Sequence, residues 1–407
     1  MASADQRWPF GPHWSVGSAC SNHLSDRESG GWTGPPPLGV SQVTTRPSTR
    51  LLIVGFGVRG RAWADVISAG SRGSVHAIVE PRPIASTPGV VTYTSLEAAL
   101  EAGGVDGAIV ATPPAAHCSG VNMCISAGVP VLCEKPLSDR VEEAAEMTVY
   151  AESVSVPLLV GMNFRYVAAV QELRRLVSDK SMGELLFGEF RYLRNRNGKD
   201  PRLNDYPLRM EHPMLLEQSI HHLDLIRYAY GRKVRAVSAT SWNPTTSIYT
   251  GDSCVAAVLR LDGDVTVSYL GTWTSGSDRL EYSWRTDMAR GLLVHSDPFG
   301  DLFRSMTDGA LHVNSWNAEP GDQPLVPLHT PRCRPFFDDT RLLLDHFLDV
   351  VEFAHEPEPS ARDHCQSLAL LQACIDSCSA HAEVGVADVF PGAHGQPFGT
   401  SQPHAAV

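Results

Sequence analysis

Leu51-Leu52-Ile53-Val54-Gly55-Phe56-Gly57-Val58-Arg59-Gly60 is the stretch on which the reading of this chain turns. Four consecutive apolar residues have the length and composition of a buried strand, and Arg61 to Ala69 reads as a helix stopped at Gly70. Between them stands GxGxxG. In that setting the first glycine serves a tight turn, the second lets backbone approach a pyrophosphate, and the third lets helix and strand pack closely. An anion would then sit at the helix N-terminus, where unpaired N–H groups point outward. Phe56, Val58 and Arg59 fill the turn, and Glu80, 25 residues beyond Gly55, ends the next apolar run, Val75 to Val79. A carboxylate there accepts hydrogen bonds from a ribose diol and repels a 2′-phosphate, which favours NAD. Arg82 is the residue that would admit NADP instead.

Working outward, apolar runs of strand length alternate with amphipathic stretches of helix length. Gly107 to Ala111, Val129 to Cys133 and Pro157 to Gly161 read as strands. Helices are expected from a Ser95 cap to Gly103, from His117 to Ala127, and from a Ser138 cap to about Ser153. This β-α beat predicts an α/β protein with a doubly wound parallel sheet over residues 49–165.

After a helix near Val167 to Ser178 the pattern changes to runs rich in Val, Thr, Tyr and Trp: Leu185 to Tyr192, Val234 to Trp242, Ser253 to Leu261, Val265 to Trp273, Arg279 to Trp284 and Gly291 to Val294. Asp262-Gly263 is a hairpin signal. Residues 166–407 are therefore expected to form a second α/β unit around an antiparallel or mixed sheet, crossed by a helix near Met214 to Tyr230 and closed by helices at Phe336 to Ala354 and Ser360 to Ala382. Residues 1–48, with six Pro, six Gly and no apolar period, read as a disordered extension or as sequence upstream of the true start. Trp8, Trp14 and Trp32 are the residues by which such a tail would dock.

The chain has 407 residues and a formal net charge of -12, so its mean field repels a nucleic-acid backbone. No run reaches the 18 or so apolar residues of a membrane span, and no secretory signal opens the chain. Nine cysteines without CxxC or zinc-ligand spacing read as reduced thiols of a cytoplasmic protein, with no metal site.

Chemistry-bearing residues cluster downstream. Cys133-Glu134-Lys135-Pro136 puts a lysine at the carboxyl edge of the parallel sheet, where cofactor and substrate meet. Thr112-Pro113-Pro114-Ala115-Ala116-His117 precedes it; Gly161-Met162-Asn163-Phe164-Arg165-Tyr166 and Glu217-Gln218-Ser219-Ile220-His221-His222-Leu223-Asp224 follow. On a regular helix Glu217, His221 and Asp224 would share about 60° of arc, with His222 about 100° away.

In this order, over about residues 50–385, these motifs resemble the glucose-fructose oxidoreductase, inositol 2-dehydrogenase and MocA (Gfo/Idh/MocA) family. The resemblance implies a Rossmann domain joined to an α/β domain with an open, mostly antiparallel sheet that often serves as an oligomer interface. It also implies a nicotinamide cofactor and a sugar or cyclitol substrate. Lys135 matches the active-site lysine, Pro136 the proline often joined to it by a cis bond, and His221 the proton-transfer histidine. Glu217 stands where aspartate is usual, and Asp224 matches the later aspartate. Thr112, Pro113 and His117 match the loop near the nicotinamide, with Glu134 and Asn163 nearby. The reaction implied is hydride transfer between NAD(P) and a secondary alcohol or ketone. NAD-dependent glycoside elimination and a non-catalytic dinucleotide-binding regulator are the alternatives.

Three features depart from that pattern or add to it. Glu217 is one methylene longer than aspartate, and Ser219 replaces a common glycine. The segment Arg191 to Pro213 carries Arg191, Arg194, Arg196, Lys199, Arg202 and Arg209 against Asp200, Asp205 and Glu211, a basic run that would favour an anionic substrate. Arg165 and Asp224 are expected at the substrate with Asn163. Trp273 is the aromatic residue expected to stack on a sugar ring, while Trp242, Trp284 and Trp316 read as core or interface aromatics.

Overall fold

The computed structural model describes residues 48–85, 88–198, 205–306 and 324–390, all within one compact unit, Pro47–Val407. The expectations for residues 1–47, including the three tail tryptophans, and those for Lys199, Asp200, Arg202 and Trp316 lie outside the described residues.

Sheet A consists of β1 (Thr49–Val54), β2 (Gly73–Val79), β3 (Val91–Tyr93), β4 (Gly107–Val110), β5 (Val131–Cys133) and β6 (Leu158–Val160). All pairings are parallel, in the order β3-β2-β1-β4-β5-β6. This is the doubly wound Rossmann order, and its direction reverses between β1 and β4, which opens a crevice at the strands' carboxyl ends. The crossovers are α1 (Val58–Ala69), α2 (Leu96–Ala102), α3 (His117–Ser126) and α4 (Val141–Ser153). Strand alternation divides the apolar residues between two faces. Leu51, Ile53, Ile78, Ile109, Leu132 and Leu159 form one core cluster with Trp63 and Ile67 of α1. Leu52, Val54, Val110, Val131 and Cys133 belong to the other.

Beyond α5 (Ala168–Ser178), sheet B is built from β7 (Leu185–Leu193), β8 (Val234–Trp242), β9 (Cys254–Leu261), β10 (Thr266–Thr272), β11 (Glu281–Met288), β12 (Gly291–Asp297), β13 (Gly300–Met306), β14 (Val326–Leu328) and β15 (Val384–Gly385). Its order is β14-β13-β12-β11-β7-β10-β9-β8-β15, antiparallel except for the pair β7–β10. The β9–β10 hairpin turns through Gly263 (φ +72°) and Asp264 (φ +58°), closed by a Leu261 N–H to Val265 carbonyl bond of 2.8 Å. Phe190, Tyr269 and Trp284 fill the inner face, over which α6 (Ile220–Tyr230) and α8 (Ala361–Ala380) pack.

Several expectations are corrected here. Strands β3, β13, β14 and β15 add to those read from the sequence. α4 begins at Val141 rather than at a Ser138 cap, because Ser138 Oγ accepts from Arg140 N–H, at 3.1 Å, before the helix starts. α7 (Asp338–Phe353), expected to close the second unit, instead lays Leu343, Leu344 and Phe347 on sheet A beside α1. Each such buried side chain contributes roughly 2 kcal/mol of transfer free energy, enough to hold the helix on that sheet. Met214–Ser219 is a π-helical turn, not a regular first turn of α6: Ile220 N–H reaches back to the Leu215 carbonyl, five residues earlier.

Candidate functional site

At the nucleotide end each glycine has a distinct physical reason. Gly55 lies at φ +89°, and a Cβ there would come within 2.9 Å of Thr112 N. A Cβ at Gly60 would lie 2.1 Å from the Gly55 carbonyl oxygen, so helix and turn touch as backbone. Gly57, the α1 N-cap, faces open space and supplies no side-chain cap, which leaves the first N–H groups of α1 available to an anion. Thr112 Oγ1 is buried with no partner. An open cradle at a helix N-terminus beside an unsatisfied hydroxyl fits a dinucleotide.

Glu80 sits at the end of β2 as expected, but its carboxylate is engaged. Oε2 accepts from Phe56 N–H at 2.9 Å and Oε1 from Arg82 Nε at 2.7 Å. The Arg82 guanidinium, 74% exposed over a carboxylate side chain that is 4% exposed, holds the Glu80 pKa down to about 2. Glu80 therefore pins the glycine turn, with both carboxylate oxygens engaged. Arg59 and Glu134, both expected to face the cofactor, are bonded to each other instead. Glu134 Oε1 accepts from Arg59 Nε and Trp63 Nε1, each at 2.8 Å, tying the glycine turn and α1 to the end of β5. His117 is likewise buried. Its Nδ1 lies 2.8 Å from the Pro136 carbonyl oxygen and its Nε2 2.8 Å from that of Thr112, so it braces the Thr112-Pro113 loop against the lysine loop.

At the chemistry end Lys135, joined to Pro136 by a cis bond, projects from the β5 edge. Its Nζ donates to the Glu217 carbonyl oxygen at 2.9 Å and to Glu217 Oε2 at 3.2 Å. A π turn displaces backbone from the regular i→i−4 ladder, and here it presents the Glu217 carbonyl and carboxylate together to one ammonium. Tyr206 OH donates to the other carboxylate oxygen, Oε1, at 2.8 Å. His221 stacks on Phe164, with ring centroids 4.5 Å apart. Burial first, and then the Lys135 ammonium, push the His221 pKa well below the usual imidazole range, so the ring is neutral at physiological pH. Its Nδ1 is buried without a partner. His222 lies among Phe190, Tyr192 and Tyr269, and burial lowers its pKa to about 3.

Lys135, Glu217 and His221 thus come together, whereas four residues expected at the substrate do not reach it. Asp224 is fully buried, accepting from Arg165 Nε at 2.7 Å and Ser367 Oγ at 2.8 Å. Arg165 also pairs with Asp363, whose other oxygen takes Arg227 at 3.0 Å. These four charges form an internal network joining the loop after β6 to α6 and α8. Asn163 is buried on Asp339 of α7. Trp273 is fully buried under Arg196, 4.3 Å from the ring centroid, which leaves no face for a sugar. Tyr206, Phe164 and Arg196 were not singled out individually. Phe164 stands within the Gly161–Tyr166 motif and Arg196 within the basic run, whereas no signal in the sequence points to Tyr206.

A family described as oxidoreductases with an NAD-binding Rossmann fold matches residues 49–162, and the GFO/IDH/MocA C-terminal domain matches residues 170–291. Among individual proteins, D-apiose dehydrogenase of Paraburkholderia graminis is 26% identical over 290 residues, 69% of this chain and 73% of that one. Inositol 2-dehydrogenase of Leifsonia xyli subsp. xyli is 32% identical over 207 residues, 48% of this chain and 57% of its own. An oxidoreductase from Agrobacterium radiobacter, crystallised with NAD+, L-tartaric acid and magnesium, superposes with a TM-score of 0.70 at 19% identity, covering 83% of this chain and 98% of that one. The doubly wound sheet with its glycine turn, the mixed second sheet and these matches together place the chain in the Gfo/Idh/MocA family of oxidoreductases.

Proposed function

We propose that the protein transfers a hydride between NAD and a secondary alcohol, or the matching ketone, of a sugar or cyclitol. The observation that carries this reading is the convergence of Lys135, Glu217 and His221 at the carboxyl edge of β5, beside the open glycine cradle. Gly55, Gly57 and Gly60 with the α1 N-terminus would hold the pyrophosphate, Glu80 the ribose, and the Thr112-Pro113 loop the nicotinamide. Glu80 favours NAD, and Arg82 is the residue through which NADP would be accepted. When bound, the nicotinamide supplies the acceptor for the hydride leaving the carbinol carbon. His221 Nε2 takes the hydroxyl proton, which a neutral imidazole is able to do. Lys135 Nζ donates to the developing alkoxide, and Glu217, braced by Tyr206, holds that ammonium in place. An acidic group on the substrate would suit the basic run from Arg191 to Arg209. The outer face of sheet B, with Leu186, Phe187 and Val258 exposed, would serve a homo-oligomer. No described helix is long and apolar enough to cross a membrane.

The test is to identify any nicotinamide that co-purifies and then to follow absorbance of the reduced cofactor across a panel of sugars, cyclitols and sugar acids. Formation of NADH with at least one secondary alcohol is expected. A full panel without NADH, at saturating NAD, would overturn the reading.

A further inference from the structure

Arg196 follows the end of β7, and it is held at three points. Its N–H donates to the Trp273 carbonyl at 2.7 Å, its carbonyl accepts from Tyr249 OH at 2.9 Å, and its guanidinium carbon lies over the Trp273 ring, 4.3 Å from the centroid. The side chain is half-buried, yet Nε is shielded from water with no hydrogen-bond partner. Among the described residues no carboxylate pairs with it. Burial and then Arg194 both press its pKa down, and Arg194 itself makes only a 3.4 Å contact with Tyr192 OH.

The carboxylate that acts on Arg196 from across the site is Glu217, and Arg196 in turn acts on Tyr206, so the guanidinium shares the field of the reacting groups. Glu217 is not its partner. Oε2 is taken by Lys135 and Oε1 by Tyr206. Arg59, the other nearby cation, is matched by Glu134. The described groups at this end therefore leave Arg194 and Arg196 as uncompensated positive charge. Holding a guanidinium partly dry without an acceptor is unfavourable unless a ligand supplies one. Its fork of parallel N–H groups matches the oxygens of a carboxylate or a phosphate.

We propose that Arg196, flanked by Arg194, is an oxyanion anchor that selects sugar or polyol substrates bearing a carboxylate or phosphate away from the reacting carbinol. The proposal rests on the dehydrogenase reading above and narrows its substrate class. Trp273 then acts as the plate that holds the guanidinium plane.

The experiment measures NAD reduction by the purified protein with matched sets: a neutral sugar or cyclitol, its sugar acid, and its phosphate ester. The acidic members should exceed the neutral one in kcat/KM by about 10-fold or more, as expected for a charge-assisted hydrogen bond. The carboxylate and phosphate arms tell the two anions apart. Arg196→Gln should raise KM for the preferred acid about 10- to 100-fold. It should leave kcat on the neutral sugar and KM for NAD within about 3-fold. Should Arg196→Gln not fold, Arg194→Gln, at an exposed position, should raise the acid's KM by about 2- to 5-fold. Equal or better turnover of neutral substrates, or a loss shared equally by neutral and acidic ones, overturns the anchor while leaving the dehydrogenase intact. An unchanged acid KM in Arg194→Gln, if that is the only soluble variant, also overturns it. A panel without any NADH overturns both.

Discussion

The glycine turn after β1 and the π turn before α6 both contribute to the proposed site, and they are built on opposite principles. The glycine turn is defined by what is missing. A Cβ at Gly60 would strike backbone at 2.1 Å, and Gly55 occupies a positive φ, so residue type follows from local geometry. The π turn is defined by what reaches it from elsewhere. Glu217 is positioned by Lys135 from β5 and Tyr206 from a separate loop, contacts spanning 82 and 11 residues. A site whose shape comes from the backbone can be read from local pattern; one assembled from distant side chains, as Lys135, Glu217 and His221 are, was legible only through the order of its motifs and the family they resemble.

Breaking the distant ties should cost most. Arg165→Met removes one cation from the buried network and leaves Asp224 and Asp363 with Arg227 alone to balance them; unfolding by urea should show a loss of about 3–5 kcal/mol. The glycine turn should separate fold from function. Gly60→Ala should destabilise the protein by about 2 kcal/mol or more, through the clash with Gly55. Gly57→Ala, facing open space, should leave thermal unfolding nearly unchanged while weakening NAD binding about 10-fold by calorimetry. Equal effects of the two alanines would erase the distinction between them.

Asp339 on α7 sharpens the comparison from a third direction. Burial raises its pKa to about 6. A carboxyl whose folded pKa exceeds its unfolded value, about 3.9, binds its proton more tightly when folded. That contribution is fully present below about pH 4 and is lost as pH rises through about 6. Asp339→Asn should therefore gain about 3 kcal/mol relative to the parent at pH 7 and nothing at pH 4, measured by denaturant unfolding at both. His221 carries the smallest expected effect. Its lowered pKa keeps it neutral, so the acid limb of kcat/KM should fall below the usual imidazole range near pH 6.5. An acid limb at or above that pH would separate His221 from the proton transfer.

The alternation of sheet A, its glycine turn and the Lys135-Pro136 edge were legible because each depends on residues close in sequence. The short edge strands were not. β3 and β14 have three residues each and β15 two, too few for any period to show. Asp224 illustrates the other failure. Three residues after His221 it reads as part of the same functional face, but Arg165, 59 residues upstream, claims its carboxylate inside the protein. The same physics moved Trp273 from sugar platform to arginine plate and placed α7 on sheet A. In each case a contact made only in three dimensions outweighs the local pattern.

The central claim is that Lys135, held on the π turn by Glu217, stabilises the reacting oxygen. The most direct measurement is the rate of NADH formation by Lys135→Ala on the best alcohol of the panel, alongside its affinity for NAD. The account predicts a fall of about 10²- to 10⁴-fold in kcat with NAD affinity within a few-fold of the parent. Turnover equal to that of the parent would contradict it.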